Sequence, residues 1–360
     1  MTTNSSSNSQ PNSPIYAKAY QLSICIFRLS AIGDVTHVLP VVKTIQNQFP
    51  NAQITWIIGK LEHKLLQGLP GVEFIEFNKS AGWQGVRALK RQLDGRQFDV
   101  LLQMQLSLRA NLVSRFIPAQ RRIGFDKKRS KELHGLVINE RIPYLHNCHV
   151  LDGFMQFAEY LACDEKIMDW RIPVSQSDEQ FATEHIDVSR KTVLISPCSS
   201  HDLRNWSVAN YAQLIDQVIG THQAQIILTG SPSAKEINFV TAIADACQYQ
   251  VLNLAGQDTL KQLLCLIKQA DLVISPDSGP LHMAGSVGTP VIGLLAASNC
   301  KRSGSYQFPD LTIDKYAEAC DKFLNKSVDE VKWGTKTEFP GAMDLIKVDD
   351  VMEKVTQVLQ

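Results

Sequence analysis

Nothing in the 360 residues approaches the run of about 18 apolar side chains that a helix needs to cross a bilayer, so the sequence predicts no membrane span. Residues 1–18 are mostly Ser, Asn, Gln, Thr and Pro, with neither a basic start nor an apolar centre. They read as a disordered polar tail and not as a signal peptide. The eight cysteines form no C-x-x-C, and none stands at metal-ligand spacing from a histidine. They fit the reduced interior of a cytosolic protein. The G-x-G-x-x-G fingerprint is missing after the first strand pattern, which argues against a nicotinamide-dependent oxidoreductase. Net charge is missing too: 36 basic residues balance 36 acidic ones, which argues against a general nucleic-acid binder.

What is present is an alternation. Short apolar runs at 22–27, 53–58, 73–77, 99–104 and 122–125 read as strands, and helical spacing fills 35–48, 62–69, 85–93, 107–116 and 149–161. The pattern restarts with strands at 192–196, 225–228, 251–254, 272–275 and 291–295, and helices at 207–218, 235–246, 260–269 and 281–286. Strands alternating with helices imply parallel sheets. The expected fold is α/β, with two doubly wound Rossmann-like domains facing across a cleft. We divide the chain into a domain at 19–175, a polar linker at 176–190, a domain at 191–345 and a terminal helix at 346–360 that packs back toward the first domain. The balanced charge conceals a cluster: 109–131 holds eight basic residues and one acid, Asp126. It is either a solvated face or a surface for an anionic substrate or membrane.

Two segments carry chemistry. Asp277-Ser278-Gly279-Pro280-Leu281-His282 joins a buried strand to a helix start, where free backbone N–H groups and the helix dipole favour a phosphate. Asp277 either binds a ligand hydroxyl or caps the helix; His282 either reaches the phosphate or packs. Far away in sequence, Gly33-Asp34 closes the first strand and puts Asp34 at the N-terminus of the first helix. There the carboxylate is a cap or a reactive group at a strand's carboxyl end. His37, three residues on, orients Asp34 or packs on the sheet.

Taken in order, Ser30-x-x-Gly33-Asp34-x-x-His37-x-Leu39-Pro40, Ser196-Pro197-Cys198-Ser199-Ser200 with Arg204-Asn205-Trp206, Asp277-Ser278-Gly279-x-x-His282-x-Ala284, Gly288-Thr289-Pro290-Val291 and Ser298-Asn299-x-Lys301-Arg302-x-Gly304-x-Tyr306 resemble the lipopolysaccharide heptosyltransferases of glycosyltransferase family 9, most of all the heptosyltransferase I type. The resemblance runs from about residue 22 to the end. It implies a GT-B fold whose first domain holds the acceptor and whose second holds the nucleotide sugar. It also implies an inverting transfer of heptose from ADP-heptose to Kdo-lipid A, at the inner face of the inner membrane, by a cytoplasmic, peripherally bound enzyme. Asp34 matches the catalytic aspartate, the general base. Arg204 stands where the family usually has a phosphate-contacting lysine, and Ser199, Ser200, Ser278 and Gly279 would complete the diphosphate cradle. With no D-x-D anywhere in the chain, protein groups must meet the leaving diphosphate's charge without a metal. Lys60, Lys64 and Arg109 are the candidate contacts to an anionic acceptor. One departure stands out: the acidic residue expected after Gly230 to meet the ribose is Ala234, with Glu236 two positions on as a substitute. Another donor sugar or core acceptor, or a non-catalytic nucleotide-sugar binder, remain the alternatives.

Overall fold

The computed structural model of the chain describes residues 21–360, so the expected polar tail lies outside the described residues. The first half runs β1 (Ser23–Phe27), α1 (Ile32–Gln48), β2 (Gln53–Gly59), α2 (Lys60–Leu66), β3 (Val72–Phe77), α3 (Gly82–Gln92), β4 (Phe98–Gln103), α4 (Leu108–Ser114), β5 (Ala119–Gly124), β6 (Glu140–Arg141) and α5 (Val150–Tyr160). Its strands are all parallel, in the order β3-β2-β1-β4-β5-β6. The second half runs α6 (Gln176–His185), β7 (Thr192–Ile195), α7 (Val208–His222), β8 (Gln225–Leu228), α8 (Ala234–Ala246), β9 (Leu252–Asn253), α9 (Leu260–Gln269), β10 (Leu272–Pro276), α10 (Gly279–Val287), β11 (Val291–Leu295), α11 (Cys300–Ser303), β12 (Ile313–Asp314), α12 (Tyr316–Leu324) and α13 (Val348–Leu359). Its order, β12-β11-β10-β7-β8-β9, is the first sheet's order read from the other edge. Both are therefore the doubly wound arrangement expected, each with a switch point where the winding reverses: between β1 and β4, and between β7 and β10.

The central strands are apolar at almost every position because helices cover both faces. Fully buried side chains such as Ile24, Ile26, Val193 and Ile274 each contribute about 1.5–3 kcal/mol. The largest core cluster crosses between the two halves, running from Val35 and Val38 on α1 to Leu281 and Met283 on α10. Trp333 Nε1 donates to the Cys148 carbonyl at 2.8 Å, and Lys261 Nζ donates to the Gln67 carbonyl at 2.9 Å. The two sheets thus meet along a packed seam beneath the cleft.

Two organisational expectations need correcting. The supposed linker is largely helix: Ser175 and Asp178 exchange hydrogen bonds in a capping box that starts α6, and Ala182 of α6 is buried where α6 packs on α9. The terminal helix does not return to the first domain. The Val348, Val351, Val355 and Leu359 stripe of α13 packs into the second core, chiefly against α7. The chain is led there by Trp206, whose Nε1 donates to the Ile346 carbonyl at 3.1 Å. The two-residue edge strands β6 and β12 were not expected, being too short to form a hydrophobic pattern.

Candidate active site

Both switch points open into one cleft of about 1720 Å³ between the sheets. On the first-domain wall, α1 begins just after β1 and carries Asp34 in its first turn. One carboxylate oxygen accepts from the Ala31 N–H at 3.1 Å, closing half of a cap, and the same oxygen pairs with Arg28 Nη2. Arg28 is buried, donates to the Met104 carbonyl at 2.6 Å and lies 5.0 Å from the centre of the Phe154 ring. Asp34 therefore combines a fixed cationic partner with open access to the cleft, its side chain 29% exposed.

The facing wall comes from the second domain. Asp277 follows β10 and is nearly buried. Its Oδ2 accepts from Ser298 Oγ at 2.5 Å and from Lys336 Nζ at 2.9 Å, with Arg204 Nη1 at 3.8 Å. Burial opposes ionisation of this carboxyl, but Lys336, His282 and the Ser298 hydrogen bond outweigh it and hold its pKa down at about 2. Of the two roles open to Asp277, capping is removed, because Ser278 is the N-cap of α10. Ser278 Oγ is engaged by Ser275 Oγ at 2.8 Å, and no side chain caps the first turn of α10, leaving N–H groups there for an anion. Arg204 is held by Glu338, with Nε to Oε1 at 2.7 Å. The Ser199 N–H is committed to Asn205 Oδ1 at 2.8 Å and its hydroxyl to the His201 carbonyl, while exposed Ser200 completes the turn.

The two walls touch where glycine permits it. A Cβ on Gly33 would stand 2.2 Å from His282 Cδ2, and one on Gly279 would stand 3.0 Å from Ile32 Cγ2. The start of α1 and the start of α10 thus lie against each other through reciprocal glycine contacts, and Asp34 faces the helix start that follows Asp277. His37 does not hydrogen-bond Asp34: both of its ring nitrogens are buried without partners. Its ring packs edge-on 4.6 Å from His282 and 5.2 Å from His149, so the packing role holds. Burial pushes the His37, His149 and His282 pKa values down, His149 to about 4, so this cluster is neutral at physiological pH.

Asp34, Lys64, Ser199, Ser200, Arg204, Asp277, Ser278, Gly279 and His282 all line the cleft. Lys60 and Arg109 do not: Lys60 begins α2 outside the lining, and Arg109 Nη1 donates to the Lys79 carbonyl at 3.1 Å. Ala234 is also off the lining. Glu236, in the first turn of α8, lines it and accepts from the Ser231 N–H at 2.8 Å. Several lining groups escaped the sequence reading. Lys336 lies in aperiodic chain and reaches Asp277 only through an antiparallel bridge to Ser298. Asp258, just before the Thr259 cap of α9, has a buried Oδ2 without a partner, and burial pushes its pKa up to about 7. No group of three His, Cys, Asp or Glu side chains able to hold a metal occurs among the described residues.

This is the architecture of a nucleotide-sugar transferase, with a carboxylate on one domain facing an anion cradle on the other. The family model described as glycosyltransferase family 9 (heptosyltransferase) matches residues 86–348, and the chain belongs to that family. It is 42% identical over 345 residues to the lipopolysaccharide core heptosyltransferase OpsX of Haemophilus influenzae, a match covering 96% of this chain and 99% of that protein. A solved family 9 glycosyl transferase from Veillonella parvula shares the fold with a TM-score of 0.76 at 18% identity, over 95% of this chain and 99% of the other. The Escherichia coli heptosyltransferase WaaC with ADP gives a TM-score of 0.67 at 17% identity, over 81% and 92%. The fold is GT-B-like and the chain is a glycosyltransferase, as the motifs implied; the oxidoreductase alternative falls away.

Proposed function

We propose that the chain transfers heptose from ADP-heptose to the Kdo of Kdo-lipid A with inversion at the anomeric carbon, in lipopolysaccharide core synthesis. The observation that carries this reading is the apposition of Asp34 and the α10 helix start through Gly33 and His282. Asp34 takes the proton from the acceptor hydroxyl as that oxygen attacks the anomeric carbon. The diphosphate leaves on the opposite side, toward the N–H groups at the start of α10, Arg204 and Ser200, whose turn Ser199 fixes, with Lys336 and Asp277 holding the cradle's charge in register. Each fixed donor aimed at developing charge contributes about 3–4 kcal/mol to the transition state. A diphosphate met by these cations needs no metal bridge. Arg28 keeps Asp34 pointed into the cleft, and Glu236 meets the donor ribose in place of the absent acid at 234. On the acceptor side, Lys64, Lys128 and Lys131 line the cleft and suit the phosphates and carboxylates of the lipid. We retain Lys60 and Arg109 as outer contacts, beyond the lining. No helix among the described residues is long and apolar enough to cross a membrane, which fits peripheral attachment to the cytoplasmic leaflet.

Titration of purified, chelator-treated protein with ADP, ADP-heptose, UDP-N-acetylglucosamine and NAD tests the donor. Selective binding of ADP and ADP-heptose supports the reading, and preference for the UDP sugar would keep the fold but replace the donor.

A further inference from the structure

The exposed apolar side chains are unevenly distributed. Thirteen large hydrophobic residues are exposed among the described residues, and eight of them sit on connections that leave one edge of the first sheet, the carboxyl edge of its parallel strands. Leu61 follows β2, Trp83 follows β3, and Leu108 and Leu112 lie on α4 after β4. Leu133 and Leu136 follow β5, and Tyr144 and Leu145 follow β6. Trp83, at 74% exposure, and Leu136, at 71%, show nearly their whole side chains to solvent.

These connections are fastened to one another. Asn111 Nδ2 on α4 donates to the Glu132 carbonyl at 2.7 Å, which ties the 131–136 turn carrying Leu133 and Leu136 to the helix carrying Leu108 and Leu112. Glu132 and Leu133 both take positive φ, a conformation that costs non-glycine residues about 1 kcal/mol or more each, yet here it turns a leucine outward. Arg109 Nη1 bonds the Lys79 carbonyl at 3.1 Å, joining α4 to the turn that leads into Trp83. Lys79 in turn pairs with Glu62 at 3.6 Å, next to Leu61. The exposed apolar residues thus sit on connections that are tied to one another at this edge of the sheet.

The charge around these side chains is mainly basic, broken by exposed Glu132 between Lys131 and Leu133. Lys60, Lys64, Lys127, Lys128 and Lys131 have no carboxylate partner among the described residues, whereas the nearby acids Glu62 and Asp126 are taken up by Lys79 and Arg129. Lys128 lies over the Tyr144 ring at 4.4 Å. Leucines flanked by unpaired lysines, with a tryptophan at the margin, match the zone between headgroups and acyl chains of an anionic leaflet. The cleft opens on the same side: Leu61, Lys64, Lys131 and Leu145 also line it.

We propose that this edge of the first sheet is a membrane-docking face, on which Trp83, Leu112, Leu133 and Leu136 insert between anionic lipid headgroups and bring the cleft mouth to the lipid surface. Its use in delivering a lipid-linked acceptor rests on the function proposed above; its capacity to bind lipid does not. The test is sedimentation of the purified full chain with vesicles of phosphatidylcholine alone or with added phosphatidylglycerol, in the absence of donor and acceptor. The unaltered protein is expected to pellet with the anionic vesicles. Combined Leu133→Ser and Leu136→Ser should lower its partition by about tenfold, with unchanged ADP binding and melting temperature. Brominated acyl chains should quench fluorescence in the unaltered protein, and Trp83→Phe should remove most of that quenching. A chain that stays in the supernatant with anionic vesicles, as it would if the face took a protein partner, overturns the proposal. So does a double variant that binds as the unaltered protein does, because charge alone would then account for binding. Failure to bind ADP-heptose would leave this result standing, so the two readings fail separately.

Discussion

Replacing Lys336 with methionine isolates the electrostatics of the donor wall. The change removes the ammonium 2.9 Å from Asp277 Oδ2 and leaves a carboxylate whose side chain is 12% exposed facing Ser298, with Arg204 at 3.8 Å and the His282 ring at 4.0 Å. The Asp277 pKa lies at about 2, against an ordinary 3.8, so its native surroundings favour the ionised form by nearly two pKa units, or roughly 2–3 kcal/mol. Removing one partner of a buried pair typically costs about 3–5 kcal/mol, and Arg204 offsets part of that here. We expect Lys336→Met to lower stability at pH 7 by about 3 kcal/mol in urea unfolding followed by tryptophan fluorescence. Because the folded pKa lies below the unfolded one, the native pair stabilises at neutral pH and that contribution is lost as pH falls from about 4 to about 2. Adding Asp277→Asn to the methionine variant should restore most of the loss. A methionine variant within about 0.5 kcal/mol of the parent, or no relief from the second change, would refute the reasoning.

Other perturbations follow from the same geometry. Gly33→Ala drives a methyl into buried His282 and should part α1 from α10; we expect about 1–3 kcal/mol of destabilisation and a turnover loss of about a hundredfold, measured by melting and steady-state kinetics. Arg204→Ala should weaken ADP binding by at least about tenfold in a calorimetric titration, whereas Arg204→Lys should recover only part, because it cannot keep both the Glu338 and the phosphate contacts. Asp258→Asn should raise stability at pH 8 by about 1–2 kcal/mol: burial lifts this carboxyl to about 7, so holding it ionised above that pH opposes folding, and the gain should vanish below about pH 4, where the acid is protonated in both states. His149 binds a proton only at about 4 when folded but near 6.5 when unfolded, so it withdraws stability as pH falls from 6.5 to 4; His149→Asn, which can still cap α5, should flatten that acid limb in pH-dependent melting.

How much of this the sequence disclosed depended on whether the signal was local. Apolar runs such as 225–228 and 291–295 coincide with β8 and β11, because a strand covered on both faces leaves an unbroken hydrophobic string. The helix at 260–269 likewise matches α9 to the residue, and α13 lies within the expected terminal helix at 346–360. Partner choice was another matter. Periodicity showed that α13 has an apolar stripe but not that α7 would receive it. The α6 start carried a legible signal, Ser175 with Asp178 three residues on, obscured by the polar character of the helix that follows. In the candidate site, Asp34 and the Asp277–His282 turn were legible because each closes a strand and opens a helix. Arg28 and Lys336 were not: nothing around a single cation announces the carboxylate it will meet across the fold.

The central claim is that Asp34 is the base for attack on a nucleotide sugar held by the opposite wall. It is tested most directly by comparing Asp34→Ala with the parent enzyme in turnover of ADP-heptose with Kdo-lipid A, with ADP-heptose affinity measured on the same preparations. We expect turnover to fall by about a hundredfold or more while donor affinity stays within a few-fold of the parent. Unchanged turnover would remove Asp34 from the chemistry and contradict the account.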